Sequence, residues 1–344
     1  MNPSLITFKE DYQELLLSFL WRQWAALGVA GHGSTNDPWA IDPEALLLFS
    51  CTLARYEARL FDEILDWTNT NGDAVNIQRL RTMIGQRFFA GQNVLSAVAG
   101  LMAVGRRSPK WKNLAGLPEN TKEAQPLFFH KNGEPMESFG NVDEGFKRYG
   151  FLRGKVELRG HTQPVRVIHN TGMIFKLRYL WGINARCEII LYLLTHDGGH
   201  PRKISRDICY FQKTVQDALV DMARSDLVYV RPVGKEKHYW LKIDKWLDFL
   251  TGDSSRVIQW VNWPMIFSAL EEIWLKLSQG EFRQLSPLAQ SSELRALMQK
   301  VRPKIEAAGF ARALSDEKMY LGEDYTRVFL SDIGKLLGKD DANP

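Results

Sequence analysis

The stretch KTVQDALVDMARSDLVYVRPVGKEKHYWL, residues 213–241, constrains the fold more than any other part of this chain. Its apolar residues recur first at helical spacing. A Leu-Val-Tyr-Val segment and a second aromatic segment follow, separated by Gly234 and lysines. This change of period predicts a short amphipathic helix that runs directly into a β-hairpin. Such a pair is uncommon as a packing unit but is common in domains that hold DNA.

The preceding residues extend this pair into a larger unit. Over residues 184–243 the pattern predicts three helices and then the hairpin, with the second and third helices at the spacing of a helix-turn-helix. Tyr210, Phe211 and Gln212 form the predicted turn. The predicted apolar anchors of the two helices are Ile204, Ile208, Val215, Leu219 and Met222.

The stretch from Gln212 to Leu241 resembles the winged helix of ArsR/MarR-type bacterial transcriptional regulators. The order of recognition helix, Leu-Val entry and aromatic wing strand is the same. Asp226 stands where those families usually have glycine, and aspartate tolerates the left-handed conformation moderately well. The paired cysteines of the metal-sensing members are absent and Cys209 stands alone, so the resemblance does not imply a metal sensor. The flanking segments are similar to an uncharacterised group of long bacterial winged-helix proteins, a likeness that implies no activity.

The resemblance implies a DNA-binding transcriptional regulator. An α-helix enters the major groove with the exposed residues near its N-terminus, while cations on neighbouring elements contact phosphates. Gln212, Lys213, Thr214 and Gln216 are therefore the expected base-reading residues. The expected backbone contacts are Arg202, Lys203 and Arg206 on the preceding helix, and Lys235, Lys237 and His238 on the hairpin.

The distribution of charge agrees with a nucleic-acid partner. Residues 147–213 contain thirteen Lys and Arg against four Asp and Glu, whereas the whole chain carries a formal net charge of only +4. Segregation of this kind is typical of modules that face nucleic acid. A basic, solvated surface is the plainer alternative.

The predicted fold class is mainly α (α+β), with a central winged helix between helical domains. At 344 residues the chain should hold more than one domain. We expect a helical N-terminal domain over 1–104, an irregular connection over 105–150, a winged-helix domain over 151–250 and a helical C-terminal domain over 251–344. Within these, residues 151–168 alternate like a basic strand pair, and residues 59–86 allow a second helix-turn-helix.

Local signals fix some helix ends and packing positions. Asp42 and Pro43 are a typical N-cap and first helical residue, and Asn184 can cap a later helix. Most of the eleven tryptophans stand at apolar positions of predicted helices, so we expect them in the core.

Motifs for enzyme chemistry are weak. Gly31 and Gly33 lack a preceding strand and a following Gly-Lys-Ser/Thr, so a turn explains them better than a phosphate loop. Two glycines separate His196 from His200, which disfavours zinc. The carboxylates Asp62, Glu63 and Asp66 have the spacing of a solvated helix face. We therefore expect no enzymatic activity, no cofactor and no metal.

The compartment and the partners follow from similar arguments. Cys51, Cys187 and Cys209 lack paired spacing and predict buried thiols in a reducing compartment. The N-terminus lacks a signal-peptide pattern, and no long apolar run occurs, so we expect a cytoplasmic protein without a membrane partner.

The expected partner is double-stranded DNA. We expect the protein to bind it as a homodimer, because such folds usually occupy two half-sites. An adaptor is the alternative: a winged helix that binds another protein, for example the cognate partner of a toxin-like or nucleotidyl-transferring enzyme. An enzyme that uses the winged helix to hold a nucleic-acid substrate has no candidate catalytic residues in this sequence.

Overall fold

The chain folds mainly into helices, with one small antiparallel hairpin, as predicted. The structure is a computed structural model and describes residues 3–31, 37–86, 89–104, 109–116, 123–137 and 140–337. Its α-helices are α1 (Pro3–Ala26), α2 (Pro43–Leu53), α3 (Ala58–Asn71), α4 (Ile77–Gly85), α5 (Gln92–Val104), α6 (Glu144–Lys147), α7 (Met173–Trp181), α8 (Ala185–Leu194), α9 (Pro201–Asp207), α10 (Gln212–Arg224), α11 (Ile243–Thr251), α12 (Trp263–Ser278), α13 (Gly280–Gln284), α14 (Pro287–Ala307) and α15 (Asp324–Leu336). Its strands are β1 (Gln125–Pro126), β2 (Phe151–Leu152), β3 (Tyr229–Val233) and β4 (Glu236–Trp240).

The predicted helix ends are confirmed at two important positions. The Asp42 carboxylate accepts a hydrogen bond from the backbone N–H of Ala45 at 3.0 Å and caps α2, with Pro43 at the first position. The Asn184 side chain caps α8 by accepting from the N–H of Arg186 at 2.9 Å. Side-chain oxygens satisfy one of the free N–H groups in the first turn of each helix.

The first and last thirds of the chain share one hydrophobic core. Helix α12 packs on α1 and α2, where the Tyr12 hydroxyl donates to the Leu270 carbonyl at 2.9 Å. The rings of Phe49 and Phe267 stack with their centroids 4.8 Å apart. The helical segments before residue 104 and after residue 251 therefore bury apolar surface against each other. The four-part domain division itself stays a prediction.

The expected burial of tryptophan is confirmed at most positions but is wrong for Trp181, which is 37% exposed. Trp24, Trp67, Trp111 and Trp274 are fully buried, and the rings of Trp24 and Trp67 meet edge to face with centroids 4.8 Å apart. Their indole N–H groups donate to the Ser50 hydroxyl and the Leu27 carbonyl. Buried indoles usually need such a partner, since an unpaired N–H is costly away from water.

The predicted basic strand pair over residues 151–168 is wrong. Only Phe151–Leu152 is a strand in this segment, and it pairs in parallel with β1. The extended backbone beyond it is held by one carboxylate instead, because Asp66 accepts from the N–H groups of Gly160, His161 and Thr162 at 2.8–3.2 Å. Asp66 is therefore buried, and so is Glu63, so the predicted solvated acidic face is wrong for these two of its three residues.

A buried ion-pair network joins α2, α4, α7 and α8. Glu44 accepts from the Arg178 guanidinium at 2.7 and 2.8 Å and from Arg79 at 2.8 Å. Arg178 also reaches Glu188 at 2.6 Å, and Arg79 forms a two-pronged pair with Asp42. Burial alone would raise the pKa of Glu44, but the two guanidinium groups outweigh it and the net direction is down.

Removal of the central carboxylate should be costly. We expect Glu44→Gln to lower the free energy of unfolding by about 3–5 kcal/mol, because two buried guanidinium groups lose their shared counter-charge. Urea denaturation measures this change. The control is Glu14→Gln, since Glu14 pairs with Lys131 at the surface with both side chains more than 60% exposed; its effect should stay below about 1 kcal/mol. An equal effect of the two substitutions would contradict the importance of the network.

Glu271 on α12 is a buried carboxyl group of a different kind. It is 1% exposed, and one oxygen accepts from the Ala90 N–H at 2.9 Å while the other has no hydrogen-bond partner among the described residues. Burial raises the pKa of Glu271 to about 7. The folded chain therefore keeps this proton up to near-neutral pH, whereas the unfolded chain releases it near pH 4.5.

This difference predicts a pH dependence. Between about pH 4.5 and 7 the folded state binds more protons, so the contribution of Glu271 to stability is complete below pH 4.5 and is lost as pH rises through 7. Above pH 7 the loss levels off at about 3 kcal/mol. Glu271→Gln should flatten this part of the curve and be more stable than the parent at pH 8. Parallel curves for the two proteins, from urea denaturation at several pH values, would contradict the assignment.

Candidate nucleic-acid interface

Helices α9 and α10 pack against each other, and the apolar anchors predicted for them are buried. All five predicted apolar anchors are at most 6% exposed: Ile204, Ile208, Val215, Leu219 and Met222. Helix α9 begins after His200, whose Nδ1 accepts from the N–H of Arg202 at 3.2 Å. Of the polar residues between the anchors, Arg206, Gln216, Asp217 and Asp221 are exposed, whereas Ser205 is buried.

The turn between the two helices depends on a left-handed residue that the sequence did not reveal. Cys209 has φ +57°, the Tyr210 N–H donates to the Ser205 carbonyl at 2.9 Å, and the Cys209 N–H reaches the Arg206 carbonyl at 3.4 Å. This is the hydrogen-bond pattern that ends many helices, usually with glycine at the left-handed position. The Cys209 side chain is buried, which raises the pKa of its thiol to about 12. Cys209 is thus a protonated structural residue in the turn.

The end of α10 follows the expectation from sequence. Asp226 adopts φ +57° directly after the helix, which is the left-handed conformation that helix ends usually give to glycine. Strands β3 and β4 then pair in an antiparallel register from Tyr229 opposite Trp240 to Val233 opposite Glu236. Gly234 has φ +60° at the first of the two turn residues, as a tight hairpin of this type requires.

The hairpin is attached to the start of α9. Gly199 and Tyr239 exchange two backbone hydrogen bonds of 2.9 Å, forming an isolated antiparallel bridge. Gly198 has φ +119°, and a Cβ at this position would lie 2.7 Å from the Tyr239 carbonyl oxygen. The Gly198-Gly199 pair is therefore needed for a close backbone approach. As a result, β4 lies beside the first turn of α9.

The predicted contact residues are almost all accessible. Arg202, Lys203, Arg206, Gln212, Lys213, Thr214, Gln216, Lys235 and Lys237 are exposed. His238 is half-buried, with its ring centroid 6.2 Å from that of His200 and its Nε2 3.5 Å from Glu236. The bridge between Gly199 and Tyr239 explains this position, since it draws the preceding residue of β4 toward α9.

The cations of this surface differ in how far they are neutralised. Lys213 is paired with Asp217 at 2.7 Å, and Arg206 lies 3.4 Å from the neighbouring Asp207. Within the described part of the chain, no ion pair involves the other four: Arg202, Lys203, Lys235 and Lys237. The positive electrostatic potential of this surface therefore comes mainly from the unpaired cations on α9 and the hairpin, rather than from α10.

Part of the local charge excess is internal. Of the thirteen cations between residues 147 and 213, Arg178 lies in the buried network and Arg153 pairs with Asp62 at 2.7 Å beneath three phenylalanine rings. The sequence balance alone did not separate these structural arginines from those at the surface.

Apolar side chains are exposed on two parts of this region. Val230 and Val233 on β3 are each more than 40% exposed, and Phe211 before α10 is 63% exposed. A second group lies around the end of α7 and on α11, where the ring centroids of Trp181 and Phe249 are 6.4 Å apart. We call it the aromatic patch; its members are Tyr179, Leu180, Trp181, Ile183 and Phe249.

The other sequence signals contribute no site. His196 stacks on Tyr192 with ring centroids 3.9 Å apart, and burial lowers the pKa of His196. In the described ranges, no group of three or more His, Cys, Asp or Glu side chains is placed to hold a metal ion. The same ranges contain no helix with the length and apolar character for crossing a bilayer. Gly33 lies outside the described residues, and the predicted second helix-turn-helix over 59–86 stays a prediction.

No protein-family model, no curated protein and no solved structure matches this chain.

Proposed function

We propose that residues 184–243 form a winged helix that binds double-stranded DNA and that the chain is a transcriptional regulator. The observation that carries this proposal is the set of exposed cations without ion pairs, Arg202 and Lys203 on α9 and Lys235 and Lys237 on the hairpin. The backbone bridge between Gly199 and Tyr239 brings these two elements side by side. Cations in this arrangement suit the phosphates that flank one groove.

Helix α10 is the element proposed for the major groove. Its diameter of about 10–12 Å suits that groove. Gln212, Thr214 and Gln216 are exposed in its first turns, while Val215 and Leu219 face the core. Glutamine can form two hydrogen bonds with adenine, and threonine can contact a thymine methyl group. A homodimer that reads two half-sites stays part of this hypothesis.

The acidic residues of α10 weaken the electrostatic attraction between this helix and DNA phosphates. Lys213 and Arg224 are matched by Asp217 and Asp221 on the same helix, all four exposed. The helix therefore adds little to non-specific attraction, and its contribution lies in base contacts. Attraction to the phosphates comes from α9 and the hairpin.

An adaptor function is the second candidate, and the aromatic patch favours it. Five large apolar side chains that are 37–66% exposed on neighbouring elements are typical of surfaces that bind protein. In that reading, the module holds a partner protein through α7 and α11.

Binding to duplex DNA of random sequence tests the proposal. We expect the logarithm of the affinity to fall linearly with the logarithm of salt concentration, measured by fluorescence anisotropy. Lys213→Glu combined with Lys235→Glu should weaken binding at least about tenfold at low salt and leave the melting temperature nearly unchanged, since both side chains are exposed.

The control for this pair is Lys318→Glu combined with Lys335→Glu. Both lysines are exposed near or on α15, and the change in net charge is the same. If the two double variants bind DNA equally, the proposed interface is wrong. If the parent protein does not bind even at low salt, the adaptor function is favoured.

Asp217→Asn should act in the opposite direction. The substitution removes an exposed carboxylate 2.7 Å from Lys213 and leaves that ammonium group unpaired near the proposed groove. We expect DNA affinity to rise several-fold at low salt, with a steeper salt dependence because one more cation can meet a phosphate. The same anisotropy titration measures this. Unchanged or weaker binding would mean that Lys213 does not face DNA.

A further inference from the structure

A cavity lies between α1, the first turns of α12 and the end of α15. Its volume is about 240 Å³, which exceeds the roughly 150 Å³ that accommodates benzene in a protein core. We call it the Arg22 cavity. Its wall is mainly apolar, and the residues that matter for its chemistry are Ser18, Phe19, Arg22, Trp39, Trp263 and Phe267.

The Arg22 cavity is buried at one end and open at the other. Leu16, Ile266 and Phe267 are at most 4% exposed and line its inner end. Ser18 and Arg22 are exposed at its mouth. A ligand can therefore enter from solvent without unfolding the helices. The cavity is too small for a helix about 10–12 Å across, which favours a small molecule over a segment of another protein.

Three aromatic rings form one continuous part of the wall. The ring centroid of Trp263 lies 6.0 Å from that of Phe19 and 5.9 Å from that of Trp39. The indole N–H of Trp263 donates to the Ala40 carbonyl at 2.7 Å, and that of Trp39 donates to the Gln23 side chain at 3.3 Å. Because both N–H groups already have acceptors, the rings offer apolar contact to a ligand. Aromatic rings pack well against a further flat ring.

Arg22 is the one charged residue in this wall among the residues that the structure describes. Its guanidinium carbon lies 5.5 Å from the ring centroid of Phe19, so the positive charge adjoins the aromatic wall. Within the same residues, Arg22 forms no ion pair. An unpaired guanidinium group can donate two parallel hydrogen bonds to a carboxylate.

Asp37 is a carboxylate close to Arg22 but outside the wall of the cavity. It accepts a hydrogen bond from Gln23 Nε2 at 3.4 Å. Burial raises the pKa of Asp37, and the charge of Arg22 opposes this rise only in part. Asp37 therefore leaves the guanidinium group available to a ligand.

We propose that the Arg22 cavity binds a small aromatic carboxylate, with its ring against Phe19, Trp39 and Trp263 and its carboxylate at the Arg22 guanidinium. Arg22 would repel a cation from the mouth. A hydrophilic anion would gain nothing from the aromatic wall. This proposal does not depend on DNA binding, because its evidence lies in the cavity alone.

Titration of the full chain with phenylacetate, followed by ligand-observed NMR, tests the proposal. Phenethyl alcohol and phenethylamine have the same ring and chain length and serve as the neutral and cationic probes. We expect phenylacetate to bind at least about threefold more tightly than the alcohol, because an exposed arginine keeps part of the strength of a charge-assisted hydrogen bond. The amine should bind most weakly. Absence of phenylacetate binding at millimolar concentrations, or equal or tighter binding of either other probe, would overturn the proposal.

Substitutions locate the site. Arg22→Gln removes the charge at the mouth and should lower the affinity for phenylacetate to that for the alcohol, while the affinity for the alcohol stays the same. Ser18→Trp places a large side chain at the mouth and should weaken the binding of both compounds several-fold. Arg59→Gln is the matched control, since Arg59 is also exposed on a helix, with its guanidinium carbon 5.6 Å from the ring centroid of Trp21 and outside the cavity.

The control variant should bind all three probes as the parent does. Thermal denaturation shows whether each variant is folded. Undiminished phenylacetate binding by folded Arg22→Gln or by folded Ser18→Trp would overturn the assignment. Should one of these variants fail to fold, the other variant and the three probes still decide.

Discussion

Arg178 lies without solvent exposure between Glu44 on α2 and Glu188 on α8, two carboxylates that are 144 positions apart in the sequence. Burial alone would lower the pKa of Arg178, but the two carboxylates outweigh it and raise the pKa. Its guanidinium group therefore stays charged, and each surrounding group needs the others to offset its own desolvation. Because α2 belongs to the first helical segment and α8 opens the helix–helix–helix–hairpin unit, this interaction sets their relative position.

The same network positions the other features of the molecule. Arg79, the second cation, bonds to the Ile208 carbonyl at the end of α9 and so links α4 to the turn that precedes α10. A small cavity opens beside this contact, with Asp42 and Arg79 in its wall. The orientation of α9 thus depends on buried charges as well as on apolar packing. A surface ion pair such as that of Lys213 and Asp217 has no such role, because water screens it.

Local patterns in the sequence were sufficient for the parts of the fold that local forces determine. The mainly helical class, the caps at Asp42 and Asn184 and the left-handed Asp226 all depend on neighbours within a few residues. The accessibility of the nine exposed contact residues could be predicted for the same reason, because the anchors of α9 and α10 fix which faces are polar.

The remaining features depend on contacts between distant residues. Asp66 captures the backbone of residues 160–162 across more than 90 positions, so the alternating pattern there does not become a strand pair. Nothing in the local sequence marks Gly199 as the partner of Tyr239, or Arg178 as a buried residue within a basic stretch. The sequence alone cannot distinguish an arginine that neutralises a core carboxylate from one that is exposed at the surface. Only the surface arginines are available to bind a partner, because the buried ones already neutralise carboxylates in the core.

Arg178 binds both Glu44 and Glu188, which affects whether the helix-and-hairpin unit over residues 184–243 could be stable on its own. Cutting the chain before residue 184 would leave Glu188 and the Tyr210 hydroxyl facing the space that Arg178 occupied, with a buried carboxylate and no counter-ion. Small units of a few helices and a hairpin are often treated as modules that can be excised and fused elsewhere. This unit depends on an ion pair with the helix before it. A recombined form of the unit would therefore have to include Arg178, or have an apolar residue in place of Glu188.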